Sequence, residues 1–410
     1  MTSDRFSLPL KVQQMLRLMF NIILADAGKH AQFKPLSWTR PVADLRTGIL
    51  TSKERWERLL DQQCSVLTED YLSEKWPLKS EKNNLVINAA VLPDKALVER
   101  IRNLKNGRLT KNGEVIAAIC PENELTTCMQ TAESGEEYEG EVLILHHAWD
   151  MFTHAGSMIK LDFELLTKDR RSQPLSKTNT VLGENPVFVE PGASVEASVL
   201  NTANGPIYIG NDAEIMESCS IRGPFAMQEH AVLKMGAKVY GPTVLGPWVK
   251  AGGELNNVIF QSFSSKAHDG FLGNAVIGEW CNIGADSNNS NLKNNYAEVK
   301  MWEYHQQRFV KTGLQFCGLI MGDHSKCGIN MMFNTGTVVG VSCNLFGQGF
   351  PRNFVPSFSW GGANGYTEYK QVKAFQVADV VLQRRQKKLT DTDKKILEYV
   401  YTKTQTYRKF

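Results

Sequence analysis

Residues 209–245 read IGNDAEIMESCSIRGPFAMQEHAVLKMGAKVYGPTVL. Within them Ile209, Ile215, Ile221, Met227, Leu233, Val239 and Leu245 fall six apart without a break. Small residues stand two before several of these, at Ala213, Cys219, Ala231, Ala237 and Thr243. A second register gives Met321, Cys327, Phe333, Val339 and Leu345, and a shorter piece gives Ile277 and Ile283. A period of six is the signature of a hexapeptide parallel β-helix. Three hexads make one triangular coil, one aliphatic side chain per hexad fills the interior, and small residues fit the crowded corners. Two long runs exclude coincidence, so the C-terminal half is expected to be a left-handed parallel β-helix over 181–350.

The repeat breaks over 251–276 and 286–319. Solenoids carry insertions as loops, often on the binding face, so the chemistry is expected there. His268 falls in the first break, in SKAHDGFLG (265–273), and is expected in an insertion. The second break opens with NNSNLKNNY (288–296), unusually polar for a solenoid wall. Each amide offers both a donor and an acceptor, which suits a hydroxyl-rich ligand. The same composition also fits a solvated loop.

Upstream of the repeat the texture is α/β. Asn21–Leu24, Leu85–Ile87, Val115–Ala118 and Val142–Leu145 read as strands. Thr51–Gln63 and Leu97–Leu104 have helical spacing, with Thr51 or Ser52 as a cap. Strands alternating with helices give an α/β layer domain over 19–150. A mixed connector with a short charged helix near Phe163–Lys168 spans 151–180. Residues 351–410 follow the β-helix as an aromatic, Pro- and Gly-rich loop and a tail that is helical from Thr367. Thr390–Asp393 reads as the N-cap of a last basic helix.

The totals bound the remaining options. The net charge of +3 on 410 residues, with no basic stripe, argues against nucleic acid as a partner. No apolar run reaches the roughly 18 residues that a membrane span needs, so no membrane is expected. Residues 1–20 lack the apolar core and cleavage site of a signal peptide, and Met19 is a second candidate start. The eight cysteines form no C-x-x-C pair and are expected as reduced thiols in a cytoplasmic protein. His268, His305 and His324 show no close pairing, so a three-histidine zinc site is not expected. His324 reads as a coil-corner residue.

The stretches SKAHDGFLGNAVIGEWCNIGADSNNSNL (265–292) and GLIMGDHSKCGINMMFNTGTVVG (318–340) carry a resemblance. They resemble the acetyltransferase domain of the bifunctional GlmU-like sugar-1-phosphate nucleotidyltransferase/acetyltransferases, closest to the archaeal form. The matching features are His268 five residues before Gly273, the I-G-x-x-x-x-I-G-A run Ile277–Ala285, and Asn291. The resemblance implies that His268 is the general base, a task suited to a side chain that titrates near neutrality. It would take a proton from an amino-sugar phosphate as the amine attacks acetyl-CoA. Asn291 would orient the sugar or acetyl group, with Asn288 beside it, and Lys300 would contact phosphate. Backbone groups around Ala285 and Ile329 would line the pantetheine groove. A homotrimer is implied, with sugar phosphate, acyl-CoA and a nucleoside triphosphate as small-molecule partners. The chain departs from the pattern at Phe271, where the family often has tyrosine, and at Ala297, where it tends to have lysine.

The same resemblance makes the N-terminal domain a nucleotidyltransferase that uses Mg²⁺. Its phosphate loop would be NIILADAGKHAQFKPLSWTRPVADLRTGIL (21–50), with Gly28, Lys29, Lys34 and Arg40 on the nucleotide. The second glycine of such loops is missing, and the metal-binding slot after the central strand holds Asn88, with Asp94 further on. No metal ligand is assigned. Three readings follow. One is an acyltransferase linked to a nucleotidyltransferase-like domain. Another is a nucleotidyltransferase whose β-helix only holds the trimer. The last is a sugar-nucleotide-binding protein without catalysis.

Overall fold

The computed structural model describes residues 20–410 apart from 131, 133 and 134; Met19 lies outside the described residues. The first strand, β1 (Asn21–Ala25), lies between β2 (Cys64–Leu67) and β3 (Asn83–Asn88), all three parallel. Antiparallel strands Glu114–Pro121 and Arg108–Lys111 extend the sheet beyond β3. Ile22, Ile23 and Leu24 are wholly buried, because both faces of a mostly parallel strand are covered. Helix α1 (Ser52–Leu60) starts in a capping box: Thr51 accepts from the Glu54 N–H, and the Glu54 carboxylate accepts from that of Thr51. Helix α2 (Lys95–Arg102) is capped by Asp94.

Residues of the expected connector form one long helix, α3 (Asp150–Thr167), rather than only a short charged helix near Phe163–Lys168. Its buried positions, among them Phe152, Ala155, Ile159 and Phe163, recur every three or four residues. Asp162 on this helix pairs with Arg55 of α1, both fully buried, at 2.6 Å.

From Thr180 the chain winds into a parallel β-helix with three faces. On the first face Ile207, Phe225 and Thr243 pair in succession, 18 residues apart, which is three hexads per coil. The inward side chains Ile209, Ile215, Ile221, Met227, Leu233, Val239 and Leu245 form the buried column that the spacing predicts. Each fully buried aliphatic side chain stabilises by about 1.5–3 kcal/mol before entropy is set against it. Corners between the first and second faces are turned by one left-handed residue per coil, including His230, Trp248, Phe263, Trp280 and His324.

Of the two breaks in the repeat, only one is an insertion. Val244 pairs with Ile259 and Ile259 with Val276, so these coils take 15 and 17 residues. In both, a single left-handed asparagine, Asn257 or Asn274, turns the third corner and removes one residue, and in the shorter coil the second corner is cut to Gly252–Gly253, which removes two more. Asparagine tolerates that conformation better than most residues. His268 therefore sits on a tight coil, not in an insertion. Val276 pairs next with Ile320, 44 residues on, and the excess holds the hairpin Lys300–Glu303/Arg308–Lys311.

The surroundings leave one face of the β-helix free. Outward residues of the first face, Tyr208, Val244, Ile259, Val276 and Ile320, share a core with α3 and the N-terminal sheet. The tail forms a strand, Gly365–Glu368, where helix was expected, because it folds back on Ser359–Gly362. Helices α4 (Gln371–Gln383) and α5 (Asp391–Lys403, capped by Thr390) follow. Through α5 the tail also grips the N-terminal domain: Tyr71 and Tyr399 stack at 3.8 Å, and Lys75 pairs with Asp393 at 2.9 Å. The third face stays open, with Leu182, Val199, Tyr240 and Met332 exposed along it.

Six cysteines are buried free thiols, but Cys120 and Cys128 are joined in a disulfide, contrary to the expectation of fully reduced cysteines. No helix among the described residues is long and apolar enough to cross a membrane.

Candidate functional site on the open face

His268, Ala285 and Ile329 lie on one edge of the β-helix, between its second and third faces, in successive coils. Backbone bonds set this column: Asp286 N–H donates to the Asp269 carbonyl (3.0 Å) and Asn330 N–H to that of Ala285 (2.8 Å). Ile329 is 68% exposed, and the His268 side chain is also exposed. From this edge the third face crosses through residues 271–273 and 288–289 to Asn274 and Asn291 at the opposite edge. Lys300 lies beyond, on the inserted hairpin. The six residues expected in the acyl-transfer site thus border one open face and its flanks.

The asparagines have structural duties here. Asn288 accepts from the Phe271 N–H at 2.7 Å and donates to the Asp286 carbonyl. Buried Asn289 bridges to the N–H and carbonyl of Gly273. Asn291 donates to Asn274 Oδ1 at 2.7 Å, which fixes how its amide faces the surface. A Cβ on Gly273 would stand 2.8 Å from that same amide nitrogen, so the close approach requires glycine. Asn288 and Asn291, which reach the surface, keep further donor and acceptor capacity for a ligand, whereas Asn289 is buried with both its N–H groups donated.

Two features escaped the sequence reading. Lys266 points inward, 1% exposed, and its ammonium donates to the carbonyls of Gly252 (3.1 Å) and His268 (2.9 Å). Burial lowers it to about 8, although Asp269 and Asp286 pull the other way. Lys300 has basic company: Lys293 and Arg352 line with it an open cavity of about 720 Å³, walled by Phe309 and Phe354.

The N-terminal candidates do not converge. Gly28 takes the left-handed conformation in the turn after β1. Lys29 pairs with Glu114 at 2.8 Å and meets His146 at 3.1 Å. Lys34 lies over the Trp38 ring at 3.7 Å, with burial lowering its pKa. Arg40, expected on a nucleotide, is buried and committed to the β-helix. It pairs with Glu279 at 2.9 Å and bonds Asp323, which also accepts from Thr39. These residues border a cavity of about 500 Å³ where the sheet domain, the β-helix and the tail meet. His324 is a half-buried left-handed corner residue there, and desolvation holds its imidazole down at about 3.

The side chains at the expected metal slot do not suit Mg²⁺, which needs free, hard oxygen ligands. Asn88 is buried and accepts from the Ala90 N–H, while Asp94 accepts from that of Leu97. Asp26, at the end of β1, is taken up by the Val42 N–H and the Thr68 hydroxyl, and burial raises its carboxyl to about 7. Among the described residues no three His, Cys, Asp or Glu side chains group closely enough to hold a metal.

Residues 22–171 match the family described as sugar nucleotidyl transferase. The chain is 31% identical over 90 residues to the bifunctional protein GlmU of Methanocaldococcus jannaschii. That alignment covers 22% of this chain and 21% of the relative, about a fifth of its length. Solved structures with some likeness include the polySia-specific acetyltransferase NeuO, at 14% identity and a TM-score of 0.24 over 47% of this chain and 87% of that one. The UDP-N-acetylglucosamine acyltransferase of Francisella novicida gives 11% identity and a TM-score of 0.20 over 56% and 89%. At these identities and scores the likeness bears on neither substrate nor mechanism. The match to a sugar nucleotidyl transferase thus covers the N-terminal sheet domain and α3, and in this chain that part is joined to a parallel β-helix.

Proposed function

We propose that the open face transfers an acyl group from acyl-CoA, acetyl-CoA in the simplest case, to the amine of an amino-sugar phosphate. The observation that carries this reading is that His268 at one edge, Asn288 on the strand between and Asn291 at the opposite edge border one open face, with Ala285 and Ile329 stacked in the His268 column. The amine attacks the thioester carbonyl while His268 takes its proton. The tetrahedral adduct then collapses, the C–S bond breaks, and the CoA thiolate leaves and is protonated. Asn288 and Asn291 meet sugar hydroxyls, and Lys300, with Lys293 and Arg352 near it, meets the phosphate. The pantetheine arm runs along the Ala285–Ile329 edge. A homotrimer would bury the apolar residues exposed on the third face, Leu182, Val199 and Tyr240, against a second copy. The reaction suits the cytoplasm, where acyl-CoA and nucleoside triphosphates occur together.

The N-terminal domain would add a nucleotide to the sugar phosphate, with Gly28 and Lys29 nearest the phosphates. Arg40 serves the seam between domains instead. A second reading, nucleotidyl transfer alone with the β-helix as a trimer scaffold, draws support from the family match over residues 22–171.

The test is thiol release from acetyl-CoA over a panel of amino-sugar 1-phosphates, with His268→Ala beside wild type. Turnover that collapses in a folded variant supports acyl transfer with His268 as base. Absence of turnover on every amine, with nucleotide-sugar formation from a nucleoside triphosphate, supports the second reading.

A further inference from the structure

The second face of the β-helix carries Lys250 and Lys326 outward, three coils apart along one strand ladder. The end of α4 brings Arg384 and Arg385 over the same strip. Together with Trp280 and Phe263 they enclose a groove of about 280 Å³. That lies near the lower end of small-ligand sites, about 300–1,000 Å³. Ser265 and Asn282 form a polar floor between the two lysines.

None of these four cations has a carboxylate within 4 Å among the described residues, whereas Arg40, Arg55 and Arg170 are all paired. Arg385 stacks over Trp248 at 5.4 Å, which holds its guanidinium in place without neutralising it. Among the described residues the Lys326 ammonium bonds only the His324 carbonyl, at 3.0 Å. Burial lowers the pKa of Lys250, and Arg385, Lys234 and Arg384 lower it further. Like charges brought together in a partly desolvated groove repel, and an anion between them removes that repulsion and gains charge-assisted hydrogen bonds.

We propose that this groove is an anion site for a phosphoanhydride, a diphosphate unit either free or on a nucleotide, held by Lys250, Lys326, Arg384 and Arg385. Adjacent phosphates match cations presented from two sides better than one carboxylate does. The Trp280–Phe263 stack, 4.2 Å between centroids, offers an apolar wall for a base. A ligand there ties α4 to the β-helix, and through α5 the tail also holds the N-terminal domain. Binding therefore stiffens the junction of all three parts. This inference does not depend on acyl transfer at the open face.

The experiment uses the full chain, with inorganic pyrophosphate and ADP as separate probes, read by melting temperature and tryptophan fluorescence. Saturable pyrophosphate binding is expected, weakened at least about tenfold in Arg384→Ala/Arg385→Ala and by raised salt. Lys326→Gln, on the other wall, should weaken it independently. Tighter binding of ADP than of pyrophosphate would identify a nucleotide as the source, and equal binding would identify the free diphosphate. The proposal is overturned if pyrophosphate produces no saturable change, if ADP binds while pyrophosphate does not, or if both variants bind as wild type does.

Discussion

Lys266 Nζ lies 2.9 Å from the carbonyl oxygen of His268, so a lysine inside the β-helix holds the backbone of the proposed base. The ammonium is buried at a pKa of about 8, below its ordinary 10.5. Between those values the unfolded chain binds the proton that the folded chain has released. Stability from this group therefore rises with pH across about 8 to 10.5. Lys266→Met should remove that rise, seen as equal urea midpoints at pH 7.5 and pH 10. It should also leave the Gly252 and His268 carbonyls without their donor and let His268 drift. Acyl transfer is expected to fall by about tenfold or more through kcat, with KM little changed. Wild-type pH dependence and turnover in the variant would sink both claims.

A second prediction concerns the seam between domains. Asp323 receives Thr39, Arg40 and the Glu279 N–H, and both it and Arg40 are nearly inaccessible. Removing one partner of a buried pair strands the other charge, typically at a cost of about 3–5 kcal/mol. Glu279 remains beside Arg40, so Asp323→Ala belongs at the lower end of that range. Calorimetry should show the N-terminal domain melting ahead of the β-helix. A single transition within a degree of wild type would show that the apolar contacts of α3 hold the domains together unaided.

The buried carboxyl of Asp26 gives a pH dependence of opposite sign to that of Lys266. Burial raises it from 3.8 to about 7, so between those values the folded state holds the proton and the unfolded state does not. Stability from this group is fully present below about pH 4 and falls as pH rises to about 7. Asp26→Asn keeps the shape and an acceptor for the Val42 N–H. It is expected to raise stability at pH 7.5 by ~1–3 kcal/mol and to leave it near wild type at pH 4. Chemical denaturation at the two pH values measures both. Equal effects at the two would mean that Asp26 is ionised in the folded protein.

The sequence displayed the β-helix because its inward slots repeat without interruption over seven hexads. The break around His268 was misread because polar residues occupy inward slots there. Phe260, Lys266 and Leu272 keep the six-residue spacing, as do Ile277, Ile283 and Asn289, all six buried. An apolar-only pattern skips Lys266 and Asn289 and registers an insertion. His268, Ala285 and Asn291 enter through the family resemblance alone, and that they border one face becomes visible only once the coils are stacked. Nothing local reveals that Arg40 meets Asp323, 283 residues away. Asn274 was overlooked because its task, orienting Asn291, exists only once two coils are stacked.

The cysteines provide the last prediction. Cys64, Cys219, Cys281, Cys317, Cys327 and Cys343 are buried free thiols, four of them inside the β-helix. Burial pushes Cys64 and Cys317 up to about 12 and Cys343 to about 11, and raises Cys219, Cys281 and Cys327 as well. The thiolate is the reactive species, so a buried thiol of high pKa does not react at neutral pH. Ellman's reagent should find no fast-reacting thiol in the native protein. It should find six in denaturant and eight after reduction of the Cys120–Cys128 bridge. Slow native labelling should follow the opening of the β-helix, and the four interior cysteines should react together because the coils share one core. Rapid native labelling of Cys281 or Cys327 would show that the coils beneath His268 open locally, and the rigid edge on which the proposed site rests would be lost.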